Sequence, residues 1–233
     1  MRYNGDMEKC DDRLKILMGE EGVRKLREAK VAICGVGGVG GYVAEAVARS
    51  FVGRIVLVDG DEVKPSNLNR QIIATEATLG SKKTEAMAAR ISLINPLAEV
   101  TCESLFITEE NVASLPIWDA DYVVDAIDDV KAKVALIREA KKRGVPVISA
   151  MGAANRMDPM SFKAADIKKT HTCPLAKKMR RELAAAGITE GVKVVFSTES
   201  PASFGGALGS NAFVPAAEGL TVAAEVIKEI CSR

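Results

Sequence analysis

Val31-Ala-Ile-Cys34 runs directly into Gly35-Val-Gly-Gly-Val-Gly40, and Tyr42 to Ser50 then carries helical spacing with Val43, Ala46 and Val47 inward. The short apolar run reads as a buried strand and the periodic segment as a helix. Gly35, Gly37 and Gly40 therefore form G-x-G-x-x-G at a strand-to-helix turn, and Gly38 extends the loop. Glycine permits close backbone approach to a phosphate, and the helix N-terminus presents free N–H groups to the anion. Taken alone, the motif specifies a nucleotide or dinucleotide without saying which.

Working outward, Arg54-Ile-Val-Leu-Val58 reads as the second strand and ends at Asp59-Gly-Asp61-Glu62. A carboxylate at Asp59 is placed to accept from ribose hydroxyls. Ser81 is expected to cap a helix running to Ile94, stopped by Asn95-Pro96. Val100-Thr-Cys102 suggests a third strand, Tyr122-Val-Val-Asp125 a fourth and Val145-Pro-Val-Ile-Ser149 a fifth, with a helix over Val130 to Arg143. This alternation predicts an α/β fold, a Rossmann-like, mostly parallel sheet with helices on both faces. Residues 8–29 read as one or two charged helical segments with Leu14, Leu17, Met18, Val23 and Leu26 on one side.

Beyond residue 150 the rhythm changes. Met151 to Lys169 reads as loop, Leu175 to Ala186 as an amphipathic helix and Val192 to Ser197 as a strand. Pro201 to Asn211 reads as a mobile surface segment and Ala216 to Ile230 as a terminal helix. The expectation is one domain over 1–233, with a nucleotide-binding core in 1–150 and substrate-side, C-terminal elements in 151–233.

Composition narrows the function classes. With 32 Lys plus Arg against 31 Asp plus Glu, the net charge of +1 offers no global case for nucleic-acid binding, so any such case rests on local patches. Five cysteines, at 10, 34, 102, 173 and 231, form no Cys-x-x-Cys, which argues against a zinc knuckle or a thioredoxin pair. The odd count and the charged first thirty residues point to a cytoplasmic protein with no membrane span. His171 is the only histidine, which counts against catalytic triads, metal–His sites and His-based hydride transfer.

An NAD-dependent oxidoreductase fits the glycine motif equally well until the charged residues are read. Asn67-Leu-Asn-Arg70-Gln71 follows the acidic strand end, a grouping suited to a highly charged ligand. Gly80-Ser-Lys-Lys83 opens the next helix, where two lysines oppose the helix dipole at about 0.3–1 kcal/mol each. A bound anion reverses that sign. Arg70 and Lys83 converging on a glycine loop suit a triphosphate. Asp128 lies at the C-terminal end of the fourth strand, where one carboxylate can hold Mg²⁺ against phosphates. Asp129 fits better as the cap of the Val130 helix.

In combination, Gly35-x-Gly37-Gly38-x-Gly40, Asp59-x-Asp61, Asn67-x-x-Arg70-Gln71, Lys83 and Asp125-x-x-Asp128 resemble the E1-like activating family, across roughly residues 10–155. That resemblance implies ATP and Mg²⁺ as cofactors, with Asp59 on the ribose, Asn67, Arg70 and Lys83 on the phosphates, and Asp128 on Mg²⁺. Arg13 resembles the arginine that family dimers reach across to the neighbour's γ-phosphate, so a homodimer is implied too. Within the family the sequence is most similar to the tRNA threonylcarbamoyladenosine dehydratases. The carriers are Asn67-Leu-Asn-Arg-Gln-Ile72, Val124-Asp-Ala-Ile-Asp128, Ala165-Asp-Ile-Lys-Lys-Thr170, Pro174-Leu-Ala176 and Val195-Phe-Ser-Thr-Glu199. The missing Cys-x-x-Cys pairs count against the molybdopterin and thiamine branch, and no zinc is expected.

The implied activity is ATP-dependent activation of the threonylcarbamoyl carboxylate on a tRNA adenosine, followed by cyclisation. Lys177, Lys178, Arg180 and Arg181, opposite Leu175, Met179 and Leu183 on one helix, are candidate tRNA phosphate contacts. Cys173 resembles a thioester cysteine only superficially, because the cyclisation needs no thiolate. The alternatives are adenylation of the C-terminal glycine of a ubiquitin-like carrier, with a sulfur-transfer or accessory partner, an NAD-dependent oxidoreductase, and a nucleotide-sensing module.

Overall fold

Along the first strand, Val31 and Ile33 enter one apolar cluster while Ala32 and Cys34 enter a second, and all four are buried. A strand buried on both sides belongs at the centre of a sheet with helices on each face. The computed structural model, which describes residues 10–232, places it there as β1 (Lys30–Cys34). β2 (Arg54–Val58) pairs with it in parallel, Ile33 opposite Leu57, and β3 (Glu99–Glu103) lies outside β2. On the other side run β4 (Tyr122–Asp125), β5 (Val147–Ala150) and β7 (Lys193–Ser197), all parallel. β6 (Phe162–Asp166) closes that rim antiparallel to β7, giving the order β3-β2-β1-β4-β5-β7-β6. The order reverses between β1 and β4, so the loops leaving those two strands diverge and open a crevice.

One face is covered by α1 (Asp12–Glu28), α2 (Gly40–Arg49), α3 (Lys83–Ile94) and α6 (Phe213–Ser232). The other is covered by α4 (Val130–Arg143) and α5 (Pro174–Ala185). The core is Val, Ile, Leu and Ala from both periodicities, each large side chain contributing about 1.5–3 kcal/mol on burial. Asp129 caps α4, its Oδ1 accepting from Ala132 N–H at 2.8 Å, and Gly144 ends it at φ 70°. α6 crosses α2 closely: a Cβ at Gly219 would overlap the Val39 carbonyl oxygen, while Pro215 flanks Gly38.

Three expectations change. Leu17 is 77% exposed: Gly19 (φ 76°) breaks α1, and the half before it lays Leu14 and Met18, not Leu17, against the core. The helical reading also began at residue 8, and residues 8 and 9 lie outside the described residues. Ser81 does not cap α3: a Glu62–Lys82 bridge holds the chain extended there, Ser81 C=O accepts from Val63 N–H at 2.9 Å, and the helix starts at Lys83. Met151 to Lys169 is not all loop, since it contains β6. Phe162-Lys-Ala-Ala-Asp166 has little strand propensity of its own and is ordered by its ladder with β7. No helix among the described residues is long and apolar enough to cross a membrane.

Candidate active site

The turn after β1 is fixed by its neighbours. Gly35 N–H donates to Val58 C=O at 2.7 Å, and Ala126 N–H to Cys34 C=O at 2.8 Å. Gly35 sits at φ 92°, where a Cβ would come 2.5 Å from the Ala126 carbonyl oxygen, and a Cβ at Gly40 would overlap the Gly35 carbonyl oxygen. Those two glycines are required by packing. Gly37 is different: the nearest atom to its absent Cβ is Gln71 Nε2 at 3.8 Å, and the space opens into a cleft of about 830 Å³. Among the described residues, the N–H groups of Gly37, Gly38 and Val39 have no acceptor in the chain, and the three residues line the cleft at the start of α2, an arrangement that suits an anion cradle.

Around this cradle the chain assembles Gly35, Gly37, Gly38, Asp59 and Asp61, then Asn67, Arg70, Gln71, Lys83 and Asp128. Gly40 lies behind the loop. Asp59 accepts Val36 N–H at 2.7 Å through Oδ2 and Asp61 N–H at 2.8 Å through Oδ1, and each oxygen keeps a further lone pair. Asn67 spends its carbonyl on Lys64 N–H at 2.9 Å, which shapes the turn carrying Arg70. Arg70 reaches the Ser66 carbonyl at 2.7 Å and Asn69 Oδ1 at 3.0 Å. Gln71 is buried with Oε1 unpartnered. Asp128 is exposed in the cleft and, among the described residues, binds no protein donor.

The two lysines opening α3 have separate fates. Lys82 pairs with Glu62 at 2.8 Å outside the cleft, so no ligand is needed to explain it. Lys83 is buried and reaches Asp61 Oδ2 at 2.8 Å; the hydrogen bond it donates, then its charge and that of Lys64, hold the Asp61 carboxyl below its usual range. The Asp61 carboxylate thus offsets the unfavourable dipole there, and Lys83 lines the cleft.

Arg13 is exposed on α1 and does not line the cleft of its own chain. Of the basic row on α5, Lys177 and Lys178 are exposed, Arg181 pairs with Glu182 at 2.7 Å, and Arg180 turns inward to the Thr170 carbonyl at 2.9 Å. Arg180 is thereby removed from the outward face. Cys173 is buried at the start of α5 with Sγ 3.6 Å from the Met151 carbonyl, and His171 stacks edge-on against Phe196.

Several functional groups were missed in the sequence. Lys133 is fully buried beneath the cleft, 3.0 Å from Asp125 Oδ2 and 2.8 Å from the Ala150 carbonyl. Asp125 also accepts from Ser149 Oγ at 2.6 Å and Ile127 N–H at 3.2 Å, so this satisfied pair braces the turn that presents Asp128. A lysine in phase with Leu136, Ile137 and Ala140 on the inward face of α4 was the available signal. Arg156 and Glu218 are buried on either side of Gly152, whose N–H donates to Glu218 Oε1 at 2.9 Å and whose carbonyl accepts from Arg156 Nη1 at 3.1 Å.

Burial pushes the Glu218 carboxyl from 4.5 up to about 7, opposed by the charges of Lys133 and Arg156 and by the hydrogen bond from Gly152 N–H. The folded chain therefore keeps a proton that the unfolded chain releases, and stability falls as pH rises from about 4.5 through about 7. Glu218→Gln should leave stability unchanged near pH 4 and raise it by up to about 3 kcal/mol near pH 8. Urea unfolding at both pH values checks this; a gain of equal size at the two would refute a titrating Glu218.

Among the described residues, no three His, Cys, Asp or Glu side chains converge as a metal cage. Around the glycine loop the cleft instead offers one uncommitted carboxylate, backbone donors and the two cations Arg70 and Lys83, an arrangement suited to a metal–triphosphate complex.

Known proteins have chains similar to this one. The tRNA threonylcarbamoyladenosine dehydratase of Bacillus subtilis is 43% identical over 236 residues, covering 94% of this chain and 93% of the relative. A crystal structure of E. coli tRNA N6-threonylcarbamoyladenosine dehydratase in complex with ATP matches 100% of this chain and 98% of that one, with TM-score 0.93 and 34% identity. The same enzyme in complex with AMP matches 94% of this chain and 92% of that one, with TM-score 0.88 and 36% identity. The ThiF family signature spans residues 12–233, nearly the whole sequence, and the chain belongs to that family.

Proposed function

We propose that this chain is an ATP-dependent tRNA threonylcarbamoyladenosine dehydratase. The observation that carries the reading is the cleft beside Gly37, with acceptor-free N–H groups, Arg70 and Lys83 around it. The relatives named for that activity add to it, as do their complexes with ATP and AMP.

A free carboxylate resists substitution because oxide is a poor leaving group. In the proposed first step a carboxylate oxygen attacks the α-phosphorus of ATP and pyrophosphate departs. The carbamoyl group of the same side arm then attacks the activated carbonyl and AMP leaves, so the nucleoside loses one water overall. Proximity within one molecule drives ring closure, and no enzyme nucleophile is required. Gly37, Gly38 and Val39 N–H bind phosphate oxygens, Asp59 takes ribose hydroxyls, and Asn67, Arg70, Gln71 and Lys83 orient and neutralise the phosphates. Asp128 would hold Mg²⁺, which when bound neutralises phosphate charge. Asp61 releases Lys83 to the nucleotide. Arg13 serves a second copy's site, and the neighbouring Ile16 and Leu17, 86% and 77% exposed, are apolar surface for that copy to cover. Residues 1–150 then hold the nucleotide while 151–233 face the substrate.

The test is mass spectrometry of nucleosides from modified tRNA incubated with protein and Mg-ATP. Loss of one water from the threonylcarbamoyl nucleoside supports the reading, and an unchanged mass with folded protein removes it. For the tRNA, Lys177, Lys178 and Arg181 form the outward basic face next to the cleft mouth at Pro174 and Leu175. Lys177→Glu with Arg181→Glu should flatten the salt dependence of tRNA binding by about 1.4–1.8 in slope. An unaltered slope would take the tRNA off α5.

A further inference from the structure

Six charged side chains line the cleft: Asp59, Asp61, Arg70, Lys83, Asp128 and Arg156. The first five gather around the glycine loop and the turn after β4. Arg156 lies on the strap 151–156 that follows β5. It is 5% exposed, and its Nε and Nη1 reach only carbonyls, those of Glu199 at 3.3 Å and of Gly152 and Ala154 at 3.1 Å. Its Nη2 has no partner, and among the described residues no carboxylate forms an ion pair with it. Glu218 feels its charge from across Gly152, yet Glu218 Oε2 is unpartnered as well.

A buried guanidinium answered only by carbonyls is an uncompensated cation, which is costly, and an anion bound beside it would offset that cost. The strap is held firmly enough to aim it. Asn155, at φ 60°, donates its N–H to Gly209 C=O at 2.9 Å, accepts Gly209 N–H at 2.5 Å and donates to Ala207 C=O at 3.1 Å. Its carbonyl also takes Ala202 N–H at 2.8 Å. One residue thus ties 202–209 over the strap and places Phe204 and Leu208 at the cleft rim.

Resting on the proposed dehydratase reading, we propose that Arg156 receives the carboxylate of the substrate's amino-acid side arm and holds it against the α-phosphorus. The reaction brings two anions within bonding distance, and their repulsion must be offset at the carboxylate end as well as the phosphate end. Lys83 is engaged with Asp61 and Arg70 with Ser66 and Asn69, both on the phosphate side. Arg156 is the cation beyond them, and its unpartnered Nη2 carries the two N–H groups left to donate to a carboxylate.

Arg156→Gln and Arg156→Lys, assayed on modified tRNA with Mg-ATP, test the assignment. Arg156→Gln should lower kcat/KM for tRNA by about 10- to 100-fold and leave the KM for ATP within about twofold of wild type, with Arg156→Lys recovering part of the loss. A second probe is inhibition by the threonylcarbamoyl nucleoside against its methyl ester: wild type should prefer the free acid, and Arg156→Gln should lose that preference. Wild-type tRNA kinetics in Arg156→Gln, a KM for ATP rising in step, or an unaltered acid-over-ester preference each overturn the inference. If Arg156→Gln shows no cooperative melt, the acid-over-ester ratio in Arg156→Lys decides, and a ratio equal to wild type overturns it. A wild-type protein inert toward modified tRNA overturns the proposed function and this inference together, whereas an active wild type matched by Arg156→Gln overturns the inference alone.

Discussion

Lys83→Ala should reduce dehydration of modified tRNA by at least about 10³-fold while the protein still melts cooperatively. Two effects add. Loss of a charge-assisted hydrogen bond to a phosphate costs about 1.5–3 kcal/mol in nucleotide binding, roughly 10- to 150-fold. Loss of a fixed cation where charge builds during attack at phosphorus costs about a further 10²–10³ in kcat. The fold survives because Asp61 is partly exposed, keeps Lys64 at 3.6 Å and can be solvated once Lys83 has gone. Nucleoside mass spectrometry gives the rate, and the thermal shift with Mg-ATP gives the binding. Wild-type turnover in Lys83→Ala would take Lys83 out of the site. Retention of the full ATP-induced shift alongside lost turnover would confine its role to the transition state.

The second large effect separates two glycines of one motif. Gly40→Ala forces a Cβ into the Gly35 carbonyl, a backbone atom that cannot swing aside, so the β1–α2 junction must open. Destabilisation by about 3 kcal/mol or more is expected, at the upper end of overpacking effects. Gly37→Ala meets nothing closer than 3.8 Å and should leave the melting temperature unchanged. Its methyl group instead occupies the space from which a phosphate reaches the loop, and ATP affinity should fall by at least about 10-fold. Calorimetry of the two variants with and without ATP is the check. If Gly37→Ala binds ATP normally, the nucleotide does not lie on this loop.

The parts legible in the sequence were those encoded by neighbours in the chain. β1, the glycine loop and α2 are one contiguous signal; Asp59, Lys83 and Asp128 each sit beside the end of a strand or the start of a helix, and Arg70 in the turn after Pro65–Asn67, where short patterns locate them. What escaped depends on partners far along the chain. β6 is a strand only because β7, some thirty residues on, offers it a ladder. Lys133 acquires its meaning from Asp125 and the Ala150 carbonyl, and Glu218 from the Gly152 N–H. The basic row on α5 was visible as composition, yet nothing local revealed that the Thr170 carbonyl would draw Arg180 inward. Leu17 looked like a core position because periodicity assumes an unbroken helix, which Gly19 ends.

The close seating of α6 on α2 bears on how the protein is made. The glycine loop is translated early, but Val39 meets Gly219 and Gly38 meets Pro215 only after almost two hundred more residues have been added. Until then the side of α2 that α6 packs against stands uncovered, and the half-built sheet offers a sticky face to chaperones and to other nascent chains. Such long-range closure makes folding slow for a chain of this size. Nucleotide added during synthesis should therefore not protect the growing chain against proteolysis until α6 has docked.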